Sequence, residues 1–103
     1  MIIYQGNTYK LPFKLKINGQ PVVADDVKMV EFAFGEVIKT YPEHATFDNE
    51  TFTVPLTQED TFSLPSKEKL YYQARVFFND ESVKGTTPKE FKVQPSVSKA
   101  VLK

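Results

Sequence analysis

Alternation of apolar and polar residues with a period of two is the feature that most restricts how this chain can fold. In the stretch TYKLPFKLKI (residues 8–17) every second residue is apolar, and three lysines lie between them. Side chains on one face of a β-strand recur with this spacing, so the stretch predicts a strand with one buried face. The stretches 28–36 and 70–78 alternate in the same way, and the first is expected to place Val30, Phe32 and Phe34 inward. The inward set of the last stretch is Leu70, Tyr72, Ala74, Val76 and Phe78.

Turn signals separate these runs and indicate how the strands connect. Asn18-Gly19 is a strong hairpin signal, and the groups 48–50 and 79–81 combine Asn, Asp and Glu between apolar runs. Pro12 cannot donate to a strand ladder and predicts an edge strand, and Gly35 predicts a bulge or bend. We therefore expect an all-β fold, an immunoglobulin-like antiparallel β-sandwich of about seven or eight short strands. Residues 1–103 form a single domain of ordinary size.

Composition excludes several classes of function. The 103 residues carry 13 basic and 13 acidic side chains, so there is no cationic excess to neutralise nucleic acid phosphates. Arg75 is the one arginine. Cysteine is absent, which excludes disulfides, thiolate zinc sites and thiol nucleophiles. The opening apolar run has three residues, too few for a signal peptide. We expect synthesis in a cytoplasm, no secretion by a signal peptide and no membrane insertion.

The segment around Glu59 and Asp60 is the most site-like in the chain, because two carboxylates adjoin there. Thr57 and Asp60 have the spacing of a capping box, in which a hydroxyl and a carboxylate bind the first free amides of a helix. A catalytic pair would need two carboxyl groups that face one another, which adjacent residues do not do. We predict a helical turn that crosses from one sheet to the other. His44, in a proline-containing loop, is expected to be solvated, and no catalytic residue is predicted.

Three acidic turns allow an alternative function. Asp25-Asp26, residues 48–50 and Asp80-Glu81 are loop tips that could converge on a calcium ion, although Asp and Asn are also common turn formers. The alternative is a surface-decorating module that recognises a glycan or a host surface, with or without calcium. We predict no cofactor and no metal ligand.

Apolar residues out of phase with their strand are the strongest hint of a protein partner. A strand that is apolar on both faces is either central in its sheet or covered by another segment or protein. Exposed apolar residues at the two chain ends could pair with another chain. Residues 96–103 could extend the last strand or form one helical turn, and either chain end could instead dock onto its own domain. The contact candidates are Tyr71, Phe77, Ile2, Ile3, Val101 and Leu102.

Three motifs carry a resemblance that covers essentially the whole chain. They are LTQEDTF (56–62), QARV (73–76) and SVSKAVL (96–102). With them the chain resembles small proteins encoded among the tail and baseplate genes of phages and prophages of Gram-positive bacteria. The broader similarity is to the immunoglobulin-like N-terminal domain of phage baseplate proteins.

The resemblance implies a non-enzymatic structural protein of a tail or baseplate. Its partners would be other phage structural proteins or further copies of itself, and it would be incorporated into the virion. The resemblance carries over no functional residue. The cysteine pair and core tryptophan of antibody-type domains are absent from this chain.

Overall fold

The computed structural model describes all 103 residues and contains eleven strands and one short helix. The helix α1 spans Gln58–Ser63, and a 3₁₀ turn spans Ala24–Asp26. The all-β class is confirmed. Strands outnumber the expected seven or eight because five of them have only two or three residues. The strands are β1 (Ile2–Tyr4), β2 (Tyr9–Phe13), β3 (Lys16–Ile17), β4 (Gln20–Pro21), β5 (Val27–Phe34), β6 (Val37–Tyr41), β7 (Thr46–Asp48), β8 (Thr51–Leu56), β9 (Leu70–Phe78), β10 (Val83–Gly85) and β11 (Lys89–Gln94).

The strands form two main sheets that curl into an open half-barrel. The larger sheet has the order β1-β11-β9-β5-β6, and β10 pairs with the far half of β9. The smaller sheet has the order β2-β8-β7, and β3 and β4 form a separate hairpin. All pairs are antiparallel except β1 with β11, which is parallel. The expectation of purely antiparallel pairing is therefore wrong at the first strand, which joins the last strand of the chain.

The core lies between the inner faces of the two sheets. Seventeen apolar residues are buried there. On β5 the alternation places Val30, Phe32 and Phe34 inward, as predicted. The rings of Phe32 and Phe52 meet across the two sheets with centroids 5.8 Å apart. The predicted inward set of β9 is confirmed: Leu70, Ala74 and Val76 are buried, and Tyr72 and Phe78 pack against the core.

Residues with positive φ make the tight hairpin turns. Asn18 and Gly19 between β3 and β4 have φ of 53° and 78°, and Asn49 and Glu50 between β7 and β8 have φ of 53° and 63°. Two consecutive left-handed residues match the right-handed twist of the strands they join, so these two predicted hairpins are confirmed. The third predicted turn, at residues 79–81, joins the antiparallel strands β9 and β10. Gly35, expected at a bulge or bend, instead begins the two-residue turn between β5 and β6 with φ of 58°.

The sheets contain a proline in an edge strand and one β-bulge. Pro12 lies on β2, which pairs with β8 alone, so the edge position predicted for this proline is confirmed. The register of β5 against β9 shifts between Val27 and Met29, and the bulge of the sheet is therefore at the start of β5.

The C-terminal tail beyond β11 has neither strand nor helix, so both predicted conformations of residues 96–103 are wrong. The tail instead returns to its own domain. The Lys99 ammonium donates to the Gln5 side chain at 2.7 Å. The Gln58 amide makes two bonds to the backbone of Leu102, at 2.8 and 2.9 Å. These polar contacts replace the strand pairing that the apolar residues of the tail suggested.

Candidate interaction surface

The Thr57–Asp60 segment is a structural corner and not an acid pair. The Thr57 hydroxyl accepts from the Asp60 amide at 3.1 Å, and the Asp60 carboxylate accepts from the Thr57 amide at 2.8 Å. This is the predicted capping box, and α1 joins β8 of the smaller sheet to β9 of the larger one. Asp60 also accepts from the Lys39 ammonium at 2.8 Å. Since Lys39 lies on β6, the helix is bonded to the far edge of the larger sheet.

The charge of Asp60 is stabilised by these bonds. Burial is the largest single influence and raises the pKa of this carboxyl. The hydrogen bond from Lys39 and the two bonds within the capping box together outweigh burial and hold the pKa of Asp60 below its usual value. Asp60 is therefore an ionised structural group and not a proton donor near neutral pH.

His44 is exposed, as expected of a loop histidine, and it also has a structural role. Its Nδ1 accepts from the Thr40 amide at 3.0 Å, and its own amide donates to the Thr40 carbonyl at 2.7 Å. These contacts cover the outward edge of β6 at Thr40. The imidazole therefore satisfies a strand edge, and its Nδ1 is occupied by the Thr40 amide.

Two of the three acidic turns lie together. The Asn79 side chain donates to the Asp25 carbonyl at 2.7 Å, and the Asn79 amide donates to the Asp26 carbonyl at 3.0 Å. The Asp80 carboxylate accepts from the hydroxyl of Ser82 at 2.6 Å and from its amide at 2.9 Å, which lowers the pKa of Asp80. No group of three carboxylate, imidazole or thiol side chains could hold a metal ion.

The outward side of the larger sheet, here called the outer face, carries most of the large apolar side chains that the chain exposes. Nine large hydrophobic side chains of the chain are exposed, and six belong to strands of this sheet. Their exposure and register place them on the side opposite the core. The six are Ile2, Tyr4, Met29, Ile38, Tyr71 and Val83.

Apolar side chains of the outer face lie closest together around Phe77. Met29 and Val83 lie opposite Phe77 on the two neighbouring strands. The ammonium of Lys28 is 5.5 Å from the centre of the Phe77 ring, close enough for a cation–π contact. Beside this cluster Arg75 donates to the Glu31 carboxylate at 2.9 Å. The single arginine of the chain is thus already paired.

The structure divides the six sequence-predicted contact residues into three groups. Tyr71, 51% exposed, and the partly buried Phe77 lie on the outer face of β9, about 20 Å apart along the strand. Ile2 is 48% exposed on the same face of β1. Ile3 is 0% exposed and faces the core beside Val93. The expectation for Ile3 is therefore corrected, because alternation along β1 turns it inward.

The two C-terminal candidates do not join the outer face. Val101 is partly buried and Leu102 is 79% exposed, and both lie in the tail that Gln58 holds against α1. The structure thus brings Tyr71, Phe77 and Ile2 together on one sheet and leaves Val101 and Leu102 elsewhere.

Four exposed residues of the outer face were missed by the sequence analysis: Tyr4, Met29, Ile38 and Val83. Met29 was detectable, because it is apolar and out of phase with Val30, Phe32 and Phe34. The other three lie on strands too short to establish a phase from sequence alone.

Comparison of the chain with protein-family models gives no match, and no curated protein matches it either. The one helix has six residues, and none of the helical structure could cross a membrane.

Proposed function

We propose that this chain is a non-enzymatic structural protein of a phage or prophage tail or baseplate, with an immunoglobulin-like sandwich fold. It acts as an assembly or attachment module that docks another protein subunit on its outer face. The phage setting depends on the sequence motifs that resemble tail and baseplate proteins. The docking surface depends on the arrangement of the larger sheet.

The exposure of six large apolar side chains on one sheet face is the observation that carries the proposal. A sheet face left open to water normally alternates polar residues with the buried apolar ones. Here β9 has Tyr71 and Phe77 outward as well as a buried inner set. A second protein that covers this strand would bury its outward apolar side chains as well.

The charges beside the Phe77 cluster are already paired. Arg75 is paired with Glu31 at 2.9 Å, and Lys28 with Glu81 at 3.2 Å. An unpaired charge buried in an interface is costly, whereas a pair that is already hydrogen-bonded satisfies its own partners. A partner can therefore cover the apolar residues around Phe77 without isolating either of these cations.

The first test is the molar mass by size-exclusion chromatography with light scattering, over a hundredfold range of protein concentration. A variant with Met29→Thr, Ile38→Thr, Tyr71→Thr and Val83→Thr removes four exposed apolar groups while threonine keeps the strand propensity. If a second copy is the partner, the wild-type chain forms a defined oligomer and this variant is monomeric at every concentration.

The matched control is a variant with Val97→Thr and Leu102→Thr, which removes exposed apolar surface from the tail. It should assemble like the wild-type chain. If the wild-type chain is monomeric throughout, the same three proteins are tested for binding to isolated tail and baseplate proteins. Equal capture by the wild-type chain and the outer-face variant would contradict the proposed docking surface.

A further inference from the structure

The half-barrel has an opening between the end of β2 and the central strands of the larger sheet. A cleft of about 300 Å³ occupies this opening. Its floor is aromatic: the Phe13 ring stacks on Phe32 with centroids 5.7 Å apart, and lies 6.0 Å from both Phe34 and Tyr72. Phe13 and Tyr72 are only partly buried, so an apolar surface is open to solvent inside the fold.

The walls of the cleft are held by hydrogen bonds. On one side the Thr86 amide donates to the Ala74 carbonyl at 2.9 Å, and the Ala74 amide donates to the Thr86 hydroxyl at 3.1 Å. The Gln73 side chain donates to the Thr86 carbonyl at 2.7 Å. On the other side the Val22 amide donates to the Leu15 carbonyl at 2.9 Å. The cleft is therefore preformed, as ligand sites usually are.

The rim of the cleft has one sign of charge. Among its twelve lining residues are Lys14, Lys16 and Lys89, and there is no acidic residue. None of these lysines belongs to the four ion pairs of the structure. The whole chain has equal numbers of acidic and basic residues, so this local excess of cations is a property of the cleft.

We propose that the cleft binds a small anionic amphiphile, a molecule with an aromatic or aliphatic body and one carboxylate or phosphate. The body would stack on Phe13 and Tyr72, and the anion would lie among the three lysines. Charge complementarity selects an anion over a neutral or cationic molecule of the same shape. The hydroxyl of Thr87 lines the same cleft and is a further polar group within it.

The size of the cleft limits the ligand. A volume of 300 Å³ equals that of roughly ten water molecules, so the body and anion together have roughly ten non-hydrogen atoms. A ligand of that size in a matched site reaches a dissociation constant of about 1 mM or lower. A suitable probe is 3-phenylpropanoate, with 3-phenylpropanol and 3-phenylpropylamine as the neutral and cationic molecules of the same shape.

The test is a titration followed by two-dimensional NMR of the labelled protein. We expect 3-phenylpropanoate to bind saturably, with the largest shifts at Phe13, Tyr72 and Thr86. It should bind at least about fivefold more tightly than the alcohol in low salt, and the difference should shrink as salt screens the lysines. The amine should bind more weakly than the alcohol.

A variant with Lys14→Gln, Lys16→Gln and Lys89→Gln should bind the carboxylate about tenfold more weakly while its affinity for the alcohol is unchanged. The control variant Lys10→Gln, Lys67→Gln and Lys69→Gln loses the same charge away from the cleft and should bind like the wild-type chain. These exposed lysines can be replaced without removing core contacts.

The proposal would be overturned if 3-phenylpropanoate showed no saturable binding at a ligand concentration of about ten times the expected dissociation constant. Equal affinities for the carboxylate and the alcohol, or chemical-shift changes centred outside the cleft, would also overturn it. An equal loss of affinity in the two lysine variants would also overturn it, since net charge alone would then explain binding. The cleft shares no residue with the exposed set of the outer face, so its failure leaves the assembly function standing.

Discussion

Replacing Asp60 probes the corner that connects the two sheets. Its carboxylate closes the capping box of α1 and accepts from Lys39 on β6. Asp60→Ala removes both contacts. In Asp60→Asn the side-chain carbonyl oxygen can still accept from the Thr57 amide, but the negative charge that pairs with the Lys39 ammonium is removed. The two variants therefore separate the cap from the ion pair.

The expected magnitudes follow from the two contacts. Loss of the bond from the Thr57 amide to the Asp60 carboxylate, the second half of the capping box, costs about 1 kcal/mol. The side chains of Lys39 and Asp60 are 14% and 20% exposed, and we assign about 1 kcal/mol to their charge-assisted bond after allowing for the remaining solvent. The free energy of unfolding should fall by about 2 kcal/mol in Asp60→Ala and about 1 kcal/mol in Asp60→Asn. The corresponding losses of Tm are about 10 °C and 5 °C.

The pH dependence gives an independent check. The pKa of Asp60 is lower in the folded chain than in the unfolded chain. The stability that its charge contributes is therefore complete above the unfolded pKa, near about pH 4, and is lost as the pH falls through the folded value. Urea unfolding from pH 7 to about pH 2 should show the gap between wild type and Asp60→Asn closing only in the acid range.

Glu59→Gln is the matched control, because Glu59 is the neighbouring carboxylate and makes no hydrogen bond to the capping box. It should change stability by less than about 0.5 kcal/mol. The reasoning fails if Asp60→Asn and Glu59→Gln are equally stable at pH 7. It also fails if the gap between wild type and Asp60→Asn is unchanged at about pH 2.

Two further predictions concern the N-terminal loop under α1. Thr61, the one buried polar residue, accepts from the Gly6 amide and donates to the Asn7 carbonyl, both at 2.9 Å. Thr61→Val leaves both groups without a partner and should cost about 1–3 kcal/mol in urea unfolding, whereas stability equal to wild type would contradict this account. Gly6 has φ of 86°, and a Cβ there would lie 2.9 Å from the Phe62 ring. Gly6→Ala should therefore cost about 2 kcal/mol or more, against about 1 kcal/mol for Gly19→Ala, where φ is 78° and nothing lies within 4 Å. Equal Tm values for the two alanine variants would show that the contact with Phe62 is unimportant.

Local patterns were sufficient for much of the fold because their physical causes are local. Alternation identified the inward residues of β5 and β9. The turn residues Asn18-Gly19 and 48–50 identified two hairpins. The spacing of Thr57 and Asp60 identified the start of α1. In each case the deciding contact lies within a few residues along the chain.

The parallel pairing of β1 with β11 had no local signal, since it joins the two ends of the chain. That pairing decided the position of Ile3, which the sequence suggested as a contact residue and the structure buries. The tail was misjudged for the same reason. Its conformation depends on Gln58, 44 residues earlier.

The sequence by itself determined that this protein is made of short strands with one capped helical turn, because side-chain period, turn residues and caps act over a few bonds. Tertiary structure alone decided which of the exposed side chains lie on one surface. Tyr71 and Met29 share the outer face, and Phe13 and Lys89 share the cleft, because strands distant in sequence are neighbours in or across the sheets. Both candidate sites depend on that adjacency, which long-range strand pairing establishes and no short stretch of residues encodes.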